Sequence, residues 1–287
     1  MDILIIGADG QLGSEITKLA SVRSEKFKVH AATINDFDIT DFQSASSHIS
    51  NIRPDVIINC AAYTKVDDCE SNIDMAYRVN ALGSRNVSLA AGICGSSVVY
   101  IGTDYIFDGA KGEPYNEFDM PCPLNTYGRS KLAGEGYVKD ITEKHFIIRT
   151  SWLYGITGSN FVKSIIRLSK ENSSLRIVDD QVGCPTDVHS LAAQILHILE
   201  NGKYGTYHAT CNGQCSWYEF AAEIVEILGL DVNVIPIETK DYPLPAKRPK
   251  FSVLDNYILR IENEDMMPHW KDSIKQFLNH NSLEELK

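Results

Sequence analysis

The chain of 287 residues carries 38 acidic against 27 basic side chains, a formal net charge of −11, with 44% apolar and 23% charged residues. That length fits one large or two closely joined domains, and the composition excludes a disordered chain. The acidic balance speaks against general nucleic-acid binding, and no apolar run approaches the ~18 residues that a membrane helix needs. The opening Met1-Asp2-Ile3-Leu4-Ile5-Ile6-Gly7 has an acid where an export signal carries bases. The seven scattered cysteines contain no C-x-x-C, and Cys211 and Cys215 are four apart, so reduced thiols in the cytoplasm are the expectation.

The first half repeats one rhythm of short apolar run, turn and helical periodicity. Ile3–Ile6, Val29–Ala32, Val56–Ile58, Val98–Ile101 and Phe146–Ile148 are continuously apolar, as strands buried on both faces are. Between them Gln11–Ser21, Asp41–Asn51, Met75–Cys94 and Thr126–Asp140 read as helices. This alternation predicts an α/β fold with a doubly wound parallel sheet, Rossmann-like, over residues 1–155. The rhythm then loosens. Helices are expected near Asn160–Lys170, Val188–Glu200 and Trp217–Leu228, the last capped by Ser216, while Tyr242–Pro249 is too proline-rich for regular structure. Residues 156–287 are expected to form a smaller α/β substrate-binding part, with room for segments that return to the first domain.

Three motifs carry chemistry. Gly7-Ala8-Asp9-Gly10-Gln11-Leu12-Gly13 follows the first strand and opens the first helix, where glycines let a backbone approach a pyrophosphate. Tyr127-Gly128-Arg129-Ser130-Lys131 puts a phenol and an ammonium on one helix face, and the cation is expected to lower the tyrosine pKa and suit it to proton transfer. Thr103, just past the fourth strand, is placed to hydrogen-bond a reacting oxygen, because ligands of such sheets bind beyond the carboxyl ends of the strands. Alone, each motif has a plain structural explanation, as a tight turn, a surface Tyr–Lys pair and a Thr-Asp turn. Together, in this order, they point to a dinucleotide enzyme.

With these motifs the chain resembles the dTDP-4-dehydrorhamnose reductase family of the extended short-chain dehydrogenase/reductases. The likeness runs over nearly the whole length, through Arg53–Asp67, Thr103–Phe107, Pro123–Glu135, Arg149–Gly155, Asp180–Thr186 and Arg248-Pro249. The resemblance implies NAD(P)H-dependent reduction of the 4-keto group of dTDP-4-dehydro-L-rhamnose, with NADPH as cofactor and NADH as an alternative. It makes Tyr127 the proton donor, Lys131 its partner and a ribose anchor, and Thr103 the hydroxyl assisting at the carbonyl. Gly7, Gly10, Gln11, Leu12 and Gly13 would border the pyrophosphate, Asp38 and Ile39 the adenine, and Ala62, Tyr63 and Thr64 the middle of the cofactor. Thr103, Asp104 and Trp152 would touch the nucleotide-sugar substrate, with Trp152 and the Pro243–Arg248 loop closing over it.

Two departures stand out. Gly102 replaces the serine usual before Thr-Asp, removing one hydroxyl. Some members dimerise around a glutamate-bound Mg²⁺; Glu15 matches one ligand, but His189 and Ser190 occupy the region of another. No metal site is therefore expected, while a homodimer stays open. At the end of the second strand, where NAD-selective enzymes place an acid, Thr33 is neutral, which predicts use of both cofactors with NADPH modestly preferred. Two alternatives remain: a reductase or epimerase of another nucleotide-sugar, and a non-catalytic nucleotide-binding module like the regulatory beta subunit of methionine adenosyltransferase.

Overall fold

The computed structural model describes residues 1–281. In chain order the elements are β1 (Asp2–Ile6), α1 (Gln11–Ser21), β2 (Lys28–Ala32), α2 (Phe42–Ile52), β3 (Val56–Asn59), α3 (Val66–Ser71), α4 (Ile73–Tyr77), α5 (Ser84–Cys94), β4 (Ser97–Thr103), α6 (Thr126–Ile141) and β5 (His145–Thr150). Then follow β6 (Leu153–Tyr154), α7 (Phe161–Glu171), β7 (Ser174–Val178), β8 (Val182–Gly183), β9 (Thr186–Asp187), α8 (Val188–Asn201), β10 (Gly205–His208), β11 (Cys215–Ser216), α9 (Trp217–Leu228), β12 (Asn233–Ile237), α10 (Tyr257–Glu262) and α11 (Trp270–His280). Residues 282–287 of the expected C-terminal part lie outside the described residues.

The main sheet runs β10-β5-β4-β3-β1-β2, all parallel. Alternation along its strands divides the core. Ile3, Ile5, Val56, Ile58, Val99 and Ile148 pack beneath α1 and α8 on one face. Leu4, Ile6, Ile57, Val98, Tyr100 and Ile147 meet α2, α5 and α6 on the other. Both faces being covered explains why the sequence reads as unbroken apolar runs. The five expected strands are present. The sixth, β10, is Gly-Thr-Tyr-His at the sheet edge, too polar to stand out by pattern, and it returns to the main sheet from beyond residue 155.

The single helix expected over Met75–Cys94 is corrected. α4 and α5 are joined by a π-helical stretch, Arg78–Gly83, at whose centre Asn80 is buried. Its amide donates to the Tyr63 carbonyl (3.1 Å) and the Ser130 hydroxyl (3.0 Å) and accepts from the Tyr63 N–H (2.8 Å). A π-bulge aims such a side chain off the regular ladder, and a 3.6-residue period cannot reveal it. The segment Tyr242–Pro249 forms no helix or strand, as expected.

Smaller pairs, β8–β11, β7–β12 and β6–β9, lie after β5. They carry the chain back over the carboxyl ends of the main strands, where one cavity of about 600 Å³ opens.

Candidate active site

The floor of the cavity is the turn after β1. Gly7 has φ +74°, a conformation costly for any residue with a Cβ. A Cβ at Gly13 would lie 2.2 Å from the Gly7 carbonyl oxygen, so the helix can start this close to the strand only with glycine there. Gly7 and Gly13 therefore shape the turn, while Gly10, Gln11 and Leu12 line the cavity. Helices α2, α6, α7, α8 and α9 each begin with a side-chain cap, from Asp41, Asn125, Asn160, Asp187 and Ser216. α1 has Gly10 at its N-cap position and no side-chain cap. Its first-turn N–H groups thus keep their capacity for an anion, reinforced by the helix dipole.

The opposite wall comes from the ends of β4 and β5 and from α6. Thr103, Asp104, Tyr127, Lys131, Trp152, Ala62 and Thr64 all line the same cavity. Asn125 caps α6, its side-chain oxygen accepting from the Gly128 N–H at 2.8 Å, which sets the helix start and with it Tyr127 and Lys131 one turn apart. The Lys131 ammonium lies 4.3 Å from the centre of the Tyr100 ring, and the Tyr100 hydroxyl donates to the Lys131 carbonyl at 2.7 Å. Burial brings the Lys131 pKa down to about 7, with Cys60 and Glu135 acting the other way.

The expectation of a lowered tyrosine pKa is corrected. Burial pushes the Tyr127 phenol well above its ordinary range, opposed by the neighbouring Thr103 hydroxyl. Desolvation of the phenolate is the largest cause, and the neighbouring Asp104 carboxylate adds to it. Tyr127 is therefore a protonated phenol at neutral pH, the state a proton donor needs. Asp104 is also buried, and burial raises its carboxyl to about 7 although the Ser252 and Thr103 hydroxyls donate to it at 2.5 and 3.1 Å.

Other expected residues lie apart. Asp38 is exposed, Ile39 is buried under Gly83, and both, like Tyr63, fall outside the cavity lining. Thr33 does follow β2, but its surroundings are not neutral: its N–H and hydroxyl both donate to the Asp36 carboxylate, at 2.8 and 3.0 Å. These bonds hold Asp36 below the ordinary carboxylate range, so a negative charge stands where the sequence suggested none. Glu15 accepts from or pairs with His189 Nδ1 at 2.8 Å, with Lys18 at 3.7 Å. Gly102 has a steric reason, since a Cβ there would come 2.9 Å from Arg149 Cγ. The Arg149 guanidinium is buried and held by Glu135 at 2.6 and 3.1 Å, so it yields poorly.

Sequence reading gave no site role to several cavity residues, among them Thr150, Cys60 and Trp217. Thr150, register partner of Thr103, is 4% exposed and its hydroxyl has no hydrogen-bond partner. A buried orphan hydroxyl is costly unless a ligand or water satisfies it. Cys60 lies at the end of β3 beside Lys131, and Trp217 stacks on Trp152. Cys60 and Thr150 lie within the blocks Arg53–Asp67 and Arg149–Gly155, but strand register decides which residues of a block face the cavity, and Trp217 enters only with the return of the later chain.

A pyrophosphate cradle facing a phenol, an ammonium and a hydroxyl across one cavity on a parallel sheet defines a short-chain dehydrogenase/reductase. The family model described as RmlD substrate binding domain matches residues 1–283. A dTDP-4-dehydrorhamnose reductase structure from Clostridium acetobutylicum superposes with TM-score 0.95 at 46% identity, covering 98% of this chain and 99% of the other. One from Bacillus anthracis, in complex with NADP, gives 0.94 at 42%, with the same coverage. The spore coat polysaccharide biosynthesis protein SpsK of Bacillus subtilis is 37% identical over 98% of each chain. The chain belongs to the dTDP-4-dehydrorhamnose reductase (RmlD) family of the extended short-chain dehydrogenase/reductases and is an NAD(P)-dependent oxidoreductase of that type.

Proposed function

We propose that this chain reduces the 4-keto group of dTDP-4-dehydro-L-rhamnose, giving dTDP-L-rhamnose, with NADPH as the preferred donor and NADH as a usable one. The observation that carries the reading is the meeting of Thr103, Tyr127 and Lys131 in one cavity with the uncapped start of α1. The residues present fit a dinucleotide: open N–H groups for the pyrophosphate, a buried cation for a ribose and an unpartnered hydroxyl at Thr150. When bound, the dihydronicotinamide supplies hydride to the carbonyl carbon. Tyr127 gives its phenolic proton to the carbonyl oxygen, while the Thr103 hydroxyl turns from Asp104 to donate a hydrogen bond to that oxygen. Lys131 stabilises the phenolate left behind and orients a ribose. The wall built after residue 150, with Asp104 and Trp152, receives the sugar nucleotide, and residues 156–281 supply most of the substrate side.

The likeness to SpsK favours a second reading, in which the same chemistry serves a different 4-keto nucleotide-sugar. A panel of 4-keto nucleotide-sugars with NADPH, followed by loss of the nicotinamide absorbance and by product stereochemistry, separates the two. Oxidation with none of them would leave a binding module without catalysis.

A further inference from the structure

Trp152 and Trp217 stack face to face, with ring centres 3.4 Å apart and planes 6° apart, and both border the cavity. Trp152 sits just after β5 with φ +48°, a strained conformation for a bulky residue that persists only where its surroundings dictate it. Its carbonyl accepts from the Thr186 N–H at 3.2 Å, and the preceding Ser151 hydroxyl donates to the Cys184 carbonyl at 2.7 Å. A Cβ at Gly183 would come 2.5 to 2.8 Å from three atoms of the indole, so the ring lies hard against that backbone.

Trp217 is fixed with equal care. The antiparallel pair β8–β11 sets Cys215 opposite Gly183 and delivers Trp217 as the first residue of α9. Ser216 caps that helix reciprocally with Glu219 and donates to Asp179 at 2.6 Å. Phe161 leans on the Trp217 ring at 4.6 Å and passes the contact to Phe220, which is fully buried. An aromatic chain thus runs from the core to the cavity wall. A core would bury such a pair, yet both indoles remain half-buried at the mouth of the site.

We infer that Trp217 is a positioning residue, holding the Trp152 indole in the orientation that meets the sugar nucleotide. The inference rests on the reductase reading and deepens it: a ring stacked on one face and pressed against Gly183 has little freedom left to lose when a sugar docks.

The test uses the full chain with Trp217→Leu, Trp217→Phe and Gly183→Ala. Trp217→Leu should raise KM for the sugar nucleotide about 10-fold, keep kcat within about 3-fold and leave KM for NADPH unchanged. The exciton couplet of the stacked indoles in far-ultraviolet circular dichroism should vanish. Trp217→Phe should recover most of the KM without the couplet, and Gly183→Ala, pushing the indole from its other contact, should raise KM as Leu does. An unchanged KM in Trp217→Leu with the couplet lost would overturn the inference. So would an equal loss of kcat and NADPH affinity that Phe does not rescue. Calorimetric binding of dTDP-L-rhamnose is measured in parallel. If the wild type binds it but turns over no keto-sugar, the reductase reading fails while the affinity ratio of wild type to Trp217→Leu still decides the inference. No binding by the wild type overturns both.

Discussion

The two walls of the cavity are built in opposite ways. The wall before residue 150 is backbone geometry: strand ends, a glycine turn and the uncapped start of a helix, each formed within a few residues of sequence. The wall after it is side-chain contact between distant segments, Trp152 on Trp217 and Gly183 under Trp152. The first kind of wall tolerates little change in shape, because backbone conformation fixes where Thr103, Tyr127 and Lys131 stand. The second kind can be retuned one side chain at a time, which suits the part of a site that chooses among substrates.

The largest effect should come from the first wall. Tyr127→Phe is expected to lower kcat about 100-fold or more with NADPH affinity nearly intact, as loss of a general acid does. Near-normal turnover would remove Tyr127 from the chemistry and erase the contrast between a catalytic and a selective wall.

Lys131→Met should also cost turnover, and weaken NADPH binding, yet leave the Tm unchanged or higher. The sign follows from the pKa: Lys131 titrates at about 7 in the fold against 10.5 when unfolded, so between those values the unfolded chain holds the extra proton. This group then makes stability rise with pH from about 7 upward, the reverse of a paired lysine. Thermal melts across that window, for wild type and variant, should converge as pH rises. Parallel pH dependences would mean that Lys131 is not desolvated.

Outside the cavity lining, the Arg248 guanidinium donates to the Asp67 carboxylate at 2.6 and 3.0 Å, holds that carboxyl below its usual range and ties the Tyr242–Pro249 loop to α3, with Asn125 donating to the Lys247 carbonyl at 2.8 Å. Asp67→Asn should speed proteolysis within residues 240–250 about 3-fold, as expected for a locally held segment, and saturating dTDP-sugar should slow it in both proteins. If added ligand leaves cleavage unchanged, the loop is no lid.

The smallest effect concerns the cofactor. Asp36→Asn, which removes the charge beside Thr33, should shift kcat/KM toward NADPH by about 3-fold relative to NADH. No shift would place the adenosine ribose away from this turn.

What could be read in the chain alone follows the same division. Apolar runs buried on both faces, helical periodicity and the Tyr-x-x-x-Lys spacing act over a few residues, so five strands of the main sheet and the residues facing each other across the first wall were legible. The π-turn that aims Asn80, the edge strand β10 and the raised phenol of Tyr127 were not. Each depends on what lies across the fold, or on how much water the fold removes. The pairing of Trp152 with Trp217 is the plainest instance: 65 positions separate the two residues, and only the β8–β11 pair brings them into contact. Local pattern determines which elements form, because backbone hydrogen bonding and alternation repeat at short range; desolvation and long-range packing, which have no signature in any window of sequence, decide the charge states and the far wall of the site.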